Sequence, residues 1–159
     1  MNIDVESAES ERVILYFHGG AYAVGTASSS VGLASDLARH AGARLVSVDY
    51  RLAPEHPYPA ALEDAVAAYR GLLASGLSSS AIAFAGESAG AGLVAATLVA
   101  LTRAGVPLPS AAVMMSPWVD LALVAPVPTV QAARTSTAGA PPHGTALAVE
   151  AVKPRGVKR

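Results

Sequence analysis

Two short glycine-bearing segments hold the residue types that acyl-transfer chemistry needs. The first is Gly86-Glu87-Ser88-Ala89-Gly90, a G-x-S-x-G pattern that follows an apolar, β-prone run and opens a helical one. In that setting the pattern predicts a tight strand-to-helix turn that lifts the Ser88 hydroxyl above a sheet as a nucleophile. Such a turn holds the serine in a strained backbone conformation. Gly86 and Gly90 are expected to be small because a Cβ at either place would collide with the neighbouring strand or helix. The amino end of the helix below Ser88 offers unpaired N–H groups to a developing anion. The second segment is His18-Gly19-Gly20-Ala21-Tyr22, directly after another β-prone run. A glycine pair there lets main-chain N–H groups face a cleft with no side chain in the way, and such donors stabilise the oxyanion of a tetrahedral intermediate. Each segment alone also reads as a plain glycine turn. The two together are far more specific.

The elements that must position these segments alternate along the chain. Val13-Ile14-Leu15-Tyr16-Phe17 is a continuous apolar run ending at glycines and predicts a buried strand. Ser28-Ser29-Ser30 supplies caps for a helix running to about His40, where a histidine near the carboxyl end suits the dipole. Leu45–Val48 is the next strand. Leu62, Val66, Tyr69 and Leu73 recur at helical steps and predict an amphipathic helix opened by Pro59. Ala81–Ala85 is a third strand, Ala89–Arg103 a small-residue helix and Ala111–Met115 a fourth strand. This order predicts an α/β fold: a mostly parallel sheet with right-handed crossovers and helices on both faces, in three layers.

The chain resembles the hormone-sensitive-lipase-like esterases, the bacterial family IV of the α/β-hydrolase superfamily. His18-Gly19-Gly20-Ala21 is similar to the family's HGG[GA] loop and Gly86–Gly90 to its G[DE]SAG elbow. Asp49-Tyr50-Arg51-Leu52-Ala53-Pro54-Glu55-His56-Pro57-Tyr58-Pro59-Ala60-Ala61 is similar to its DYRLAPEHPFPAA stretch, and Ser116-Pro117-Trp118-Val119-Asp120-Leu121 to its SPWxDL segment. The resemblance covers about residues 12–121. It implies that Ser88 is the nucleophile of a carboxylic-ester hydrolase acting on small acyl esters. It also implies that the N–H groups of the Gly19, Gly20 and Ala21 loop and of Ala89 form the oxyanion hole, with His18 bracing the loop and Gly86, Glu87 and Gly90 supporting the elbow. It implies a partial α/β-hydrolase core, apparently truncated at both ends, with the Val13 and Ala81 strands side by side at the centre, the Leu45 strand outside the first and the Ala111 strand outside the second. Chain direction then reverses between the two central strands, where ligand clefts form at the strands' carboxyl ends.

The departures from the family carry equal weight. Members place the triad acid and histidine beyond their SPWxDL segment, where the resemblance ends. After Ser88 the remaining acids are Asp120 and Glu150 and the remaining histidine is His143. Ser88, Asp120 and His143 obey the order serine, acid, histidine, but His143 sits in Pro141-Pro142-His143-Gly144 with no predicted element to hold it. His40 reads as a helix-end residue and His56 as part of a turn. Arg51, Glu55, Glu63 and Asp64 could serve acid–base work, or simply pair a turn with the following helix. The expectation is therefore an impaired esterase. The competing reading is a non-catalytic fragment that binds acyl ligands or a partner chain, or a non-functional product.

Composition excludes other classes. The chain has 159 residues, no cysteine and a net charge of −1, which removes disulfides, thiolate catalysis and Cys-type zinc sites, and leaves no basic stripe for nucleic acid. No metal or cofactor is implied. The longest uncharged helical stretch, Ser88 to Thr102, has 15 residues and is short for a membrane span. The first eleven residues do not resemble a signal peptide, so a cytoplasmic location is expected. Residues 1–121 carry 6 Arg and 11 acids, whereas residues 122–159 carry 5 basic residues, one acid and five prolines. That break predicts a partial hydrolase core over 1–121 and a tail over 122–159, either poorly ordered or outside the family's frame. Nothing obvious pairs the outer edges of the Leu45 and Ala111 strands, so self-association through exposed sheet edges is expected.

Overall fold

The computed structural model describes residues 12–121 and two short outlying strands. The strands are β1 (Asn2–Ile3), β2 (Val13–Phe17), β3 (Arg44–Val48), β4 (Ile82–Glu87), β5 (Ala111–Met115) and β6 (Leu147–Val149), and the helices are α1 (Val31–Ala41), α2 (Ala60–Ala74) and α3 (Ala89–Arg103). One sheet runs in the order β1-β3-β2-β4-β5-β6. The four inner strands are parallel and the two outer ones antiparallel to their neighbours.

The hand of the crossovers sets the layers. From β2 the chain passes through α1 to β3 on one side, then through α2 and α3 to β4 and β5 on the other. Right-handed crossovers in opposite directions put their helices on opposite faces. Accordingly Ile14, Tyr16, Leu45 and Ala85 pack with Ala34 and Ala38 of α1. Leu15, Phe17, Ile82 and Phe84 pack with Ala65 and Tyr69 of α2 and with Leu93, Val94 and Leu101 of α3. All five residues of β2 are buried, which is why that strand reads as a continuous apolar run rather than an alternation. Phe84 is the hub of the second layer, edge-on to Phe17 at 5.9 Å and to Tyr69 at 5.0 Å.

Two expectations change. The outer edges of β3 and β5 are not bare: Asn2 and Ile3 pair with Val46 and Leu45, while Leu147, Ala148 and Val149 pair with Met114, Val113 and Ala112. An edge strand's unpaired N–H and C=O groups accept any short extended partner. A three-residue apolar run is too short to register as an alternation, so Leu147–Val149 carries no strand signal in the sequence. Secondly, the serine run does not cap α1 through its side chains. Ser30 is at the N-cap position, but its hydroxyl donates to Glu87 Oε1 at 2.6 Å, and Ser29 Oγ donates to Thr26 O. The far end of α1 closes on Gly42, left-handed at φ 54°, whose N–H reaches the Ala38 and Arg39 carbonyls.

Candidate active site

Ser88 lies between the last residue of β4 and the first of α3. Its φ is 51° and ψ −116°, a backbone state that side-chain-bearing residues rarely adopt and that persists only where neighbours enforce it. Three main-chain bonds do so. The Ser88 N–H donates to Met115 O at 2.9 Å, and its carbonyl accepts from the Gly92 and Trp118 N–H groups at 3.1 and 3.0 Å. The side chain is exposed and makes no capping bond to α3, so its hydroxyl is presented to solvent.

Close approach of α3 to the sheet demands glycine at two points of the elbow. A Cβ on Gly90 would lie 2.1 Å from the Phe17 carbonyl oxygen and 2.4 Å from that of His18. A Cβ on Gly86 would lie 2.6 Å from the Gly90 backbone. Ala89 begins the helix, where the first N–H groups have no intrahelical acceptor.

The loop after β2 folds over this elbow. The β position of Gly19 is 3.5 Å from Ser88 Cβ. Ala21 and Tyr22 are both left-handed, at φ 55° and 62°. The carbonyls of the loop are engaged one after another. His18 O accepts from Tyr50 Oη at 2.7 Å, Gly19 O from His18 Nδ1 at 2.7 Å, and Gly20 O from the Ala23 and Val24 N–H groups at 3.0 and 2.9 Å. Because a carbonyl only accepts, Nδ1 of His18 is the donor of its bond to Gly19 O. Nε2 is buried without a partner among the described residues. The N–H groups of Gly19, Gly20 and Ala21 donate to none of the described residues.

Glu87, one residue before the serine, turns toward the α1 side. Its carboxylate accepts the Ser30 hydroxyl. Tyr16 Oη lies beside both without a well-formed hydrogen bond, and burial first, then the Glu87 charge, pushes its phenol far above the ordinary value.

The remaining candidates separate. Arg51, Glu63 and Asp64 come together: the Arg51 guanidinium meets Asp64 at 2.9 Å and Glu63 at 3.0 Å, and its backbone N–H donates to Asp64 Oδ2 at 2.8 Å. This fastens the 50–53 turn to α2. Burial pushes the Asp64 carboxyl upward, but the bonds from Arg51 and its positive charge outweigh this and hold it below its ordinary value. Glu55 is exposed and takes no part in those bonds. His40 Nδ1 donates to Asp36 O at 2.7 Å at the end of α1. His56 is exposed on the wall of an apolar cavity of about 220 Å³ that also involves Tyr22, Tyr58, Leu62 and Leu93. Asp120 is exposed, and its backbone carbonyl accepts from Trp118 Nε1 at 3.1 Å. His143 and Glu150 lie outside the described residues. Among the described residues no group of His, Cys, Asp and Glu could hold a metal ion, and no helix is long and apolar enough to cross a membrane.

Three contributors were not singled out as functional from sequence. Tyr50 and Trp118 were visible only as members of motifs, and Ser30 only as a helix cap. Each acts through a contact 30 or more residues away in the chain, which no local pattern signals.

A parallel sheet with a strained serine at a strand-to-helix elbow, where chain direction reverses, is the α/β-hydrolase arrangement. The family described by the α/β-hydrolase fold matches residues 14–153, and the chain belongs to it. The match continues past Leu121, where the motif resemblance ends. Within the family the resemblance to hormone-sensitive-lipase esterases is borne out. A crystal structure of an esterase from the bacterial hormone-sensitive lipase family is 48% identical, with a TM-score of 0.78 over 84% of this chain and 45% of that one. An acetyl-hydrolase of Streptomyces hygroscopicus is 52% identical over 123 residues, 77% of this chain and 41% of the relative. An esterase of Acinetobacter venetianus is 37% identical over 116 residues, 73% of this chain and 38% of the relative. The chain thus spans about two fifths of the length of these curated relatives.

Proposed function

We propose that the protein hydrolyses small carboxylic esters through an acyl-enzyme on Ser88, with the N–H groups of Gly19, Gly20, Ala21 and Ala89 receiving the oxyanion. One observation carries this reading: the exposed, strained Ser88 lies against a loop whose three N–H groups engage none of the described residues, the Gly19 β position being 3.5 Å from Ser88 Cβ. Relatives named esterase and acetyl-hydrolase support esters of short acyl groups as substrates. Ser88 Oγ attacks the ester carbonyl, and the electron pair of the C=O bond moves to oxygen, where the main-chain donors meet it. Collapse breaks the bond to the alcohol, which leaves with the serine's proton. Water then attacks the acyl carbon, releases the acid and restores the hydroxyl.

The proton transfers have no dedicated carrier among the described residues. His18 Nδ1 is committed to Gly19 O, His40 Nδ1 to Asp36 O, and no hydrogen bond joins His56 to Ser88. Hydrolysis is therefore expected to be far slower than in a complete triad enzyme. The oxyanion hole and binding alone leave roughly a thousandfold or more over water. The same observation favours a second reading, a non-catalytic module that binds acyl ligands or a partner chain. A fluorophosphonate separates the two, because it modifies only an activated serine. The acyl-enzyme reading expects labelling that Ser88→Ala abolishes. Labelling that survives Ser88→Ala rejects the assignment, and equal, near-zero labelling of both proteins favours the binding module.

A further inference from the structure

The oxyanion donors proposed above are peptide N–H groups, so their aim depends on what holds the peptides to which they belong. A trans peptide is planar, with its C=O and N–H pointing in opposite directions. Fixing the His18 oxygen therefore fixes the Gly19 N–H, fixing the Gly19 oxygen fixes the Gly20 N–H, and fixing the Gly20 oxygen fixes the Ala21 N–H. The third of these is secured within the loop by the Ala23 and Val24 N–H groups. The first two lead back to one side chain. Tyr50 Oη donates to His18 O at 2.7 Å, and the Tyr50 ring stacks on the His18 imidazole, with centroids 4.3 Å apart and planes 13° from parallel. That imidazole is the group that donates to Gly19 O.

Tyr50 is itself well held. It is 3% exposed. The turn that follows it is clamped to α2 by the Arg51–Asp64 pair, and the Ala53 N–H adds a second tie to the loop at Tyr22 O, 2.8 Å away. The loop needs such support, because Ala21 and Tyr22 occupy left-handed backbone states that cost energy when unsupported.

We infer that Tyr50 is the positioning residue of the oxyanion loop, aiming the Gly19 N–H through its hydroxyl and the Gly20 N–H through its stack on His18, while the Ala21 N–H is set independently of it. This rests on the acyl-enzyme reading for its chemical meaning, and its geometry is testable without it.

The test pairs Tyr50→Phe with Tyr69→Phe. Each deletes one hydroxyl-to-carbonyl bond, Tyr69 Oη donating to Pro107 O at 2.8 Å, past the carboxyl end of α3 and so at the opposite end of that helix from Ser88. One readout is the rate at which a fluorophosphonate labels Ser88. The other is the heteronuclear NOE of the Gly19, Gly20 and Ala21 amides. In the wild-type protein all three amides are expected to be as rigid as those of β2, although none has a hydrogen-bond acceptor among the described residues; NOE values as low as those of a free chain overturn the inference without any variant. Tyr50→Phe should slow labelling about tenfold, since oxyanion donors are sensitive to small misplacements. It should loosen Gly19 and leave Ala21 unchanged. Tyr50→Leu, which also removes the stack, should loosen Gly20 as well. Tyr69→Phe should change neither readout while lowering stability. A wild-type labelling rate or an unchanged Gly19 amide in Tyr50→Phe overturns the inference, as does equal slowing in Tyr69→Phe. If the wild-type protein does not label at all, the acyl-enzyme reading falls, and the amide pattern alone decides the positioning role.

Discussion

Replacing Gly90 with alanine tests whether the approach of α3 to β2 fixes the elbow. The added Cβ would lie 2.1 Å from Phe17 O and 2.4 Å from His18 O. Carbon and oxygen without a strong bond approach to about 3.3 Å, so the helix start and the strand end must part by roughly 1 Å. Both oxygens belong to backbone at the end of a fully buried strand, and no side chain can swing aside. Overpacking of this kind costs about 1–3 kcal/mol and more where backbone must shift. Alanine recovers about 0.5–1 kcal/mol through its helix preference. With the cost at its upper end of about 3 kcal/mol because backbone must move, the net expectation is a loss of about 2–2.5 kcal/mol, or a Tm lower by about 4–10 °C for a domain of this size. Gly71→Ala is the control: it lies within α2, and a Cβ there meets nothing within 4 Å. That variant should gain about 0.5–1 kcal/mol. Both are measured by thermal and urea unfolding. A Gly90→Ala protein that melts at or above the wild-type temperature refutes the close-approach argument.

Other consequences are open to measurement. Ser88→Gly should raise stability by about 1 kcal/mol in urea unfolding, because glycine adopts φ 51° without the strain the serine carries; a loss would show that the serine side chain is held by contacts of its own. Asp64 has a folded-state pKa below its ordinary value, so its share of stability is complete above about pH 4, the unfolded value, and disappears as pH falls through the folded one. The gap in urea midpoint between wild type and Asp64→Asn should accordingly be present at pH 7 and close at strongly acid pH, and it should stay within about 1 kcal/mol because Asp64 and Arg51 are 26% and 43% exposed. Self-association through the sheet edges remains our expectation, since among the described residues β1 covers only Leu45 and Val46 of the five-residue β3 and the net charge of −1 offers little repulsion. Light scattering behind size exclusion should report a species larger than 15.9 kDa, and a monodisperse monomer with a cooperative melt would rule this out.

The inner sheet and its helices were legible in the chain because each rests on a local pattern. Val13–Phe17, Ala89–Arg103 and Ala111–Met115 form with the limits that their apolar runs and punctuation predict. The central pairing of β2 with β4 came from the resemblance to a known family. Ser88 was legible because the elbow's constraints are packed into five consecutive residues: steric exclusion at two glycines and a serine forced into an unusual φ. What lay beyond the sequence was every interaction between segments distant along the chain. The Tyr50 bond to His18 spans 32 residues, and the Ser30 bond to Glu87 spans 57 and diverts a predicted cap from its own helix. Short edge strands such as Leu147–Val149 acquire their conformation from the unpaired rim of the sheet they join, not from any periodicity of their own. Periodicity and steric exclusion act over a few residues and can be read along the chain, whereas a hydrogen bond's partner is chosen only when folding brings the two groups within 3 Å of one another.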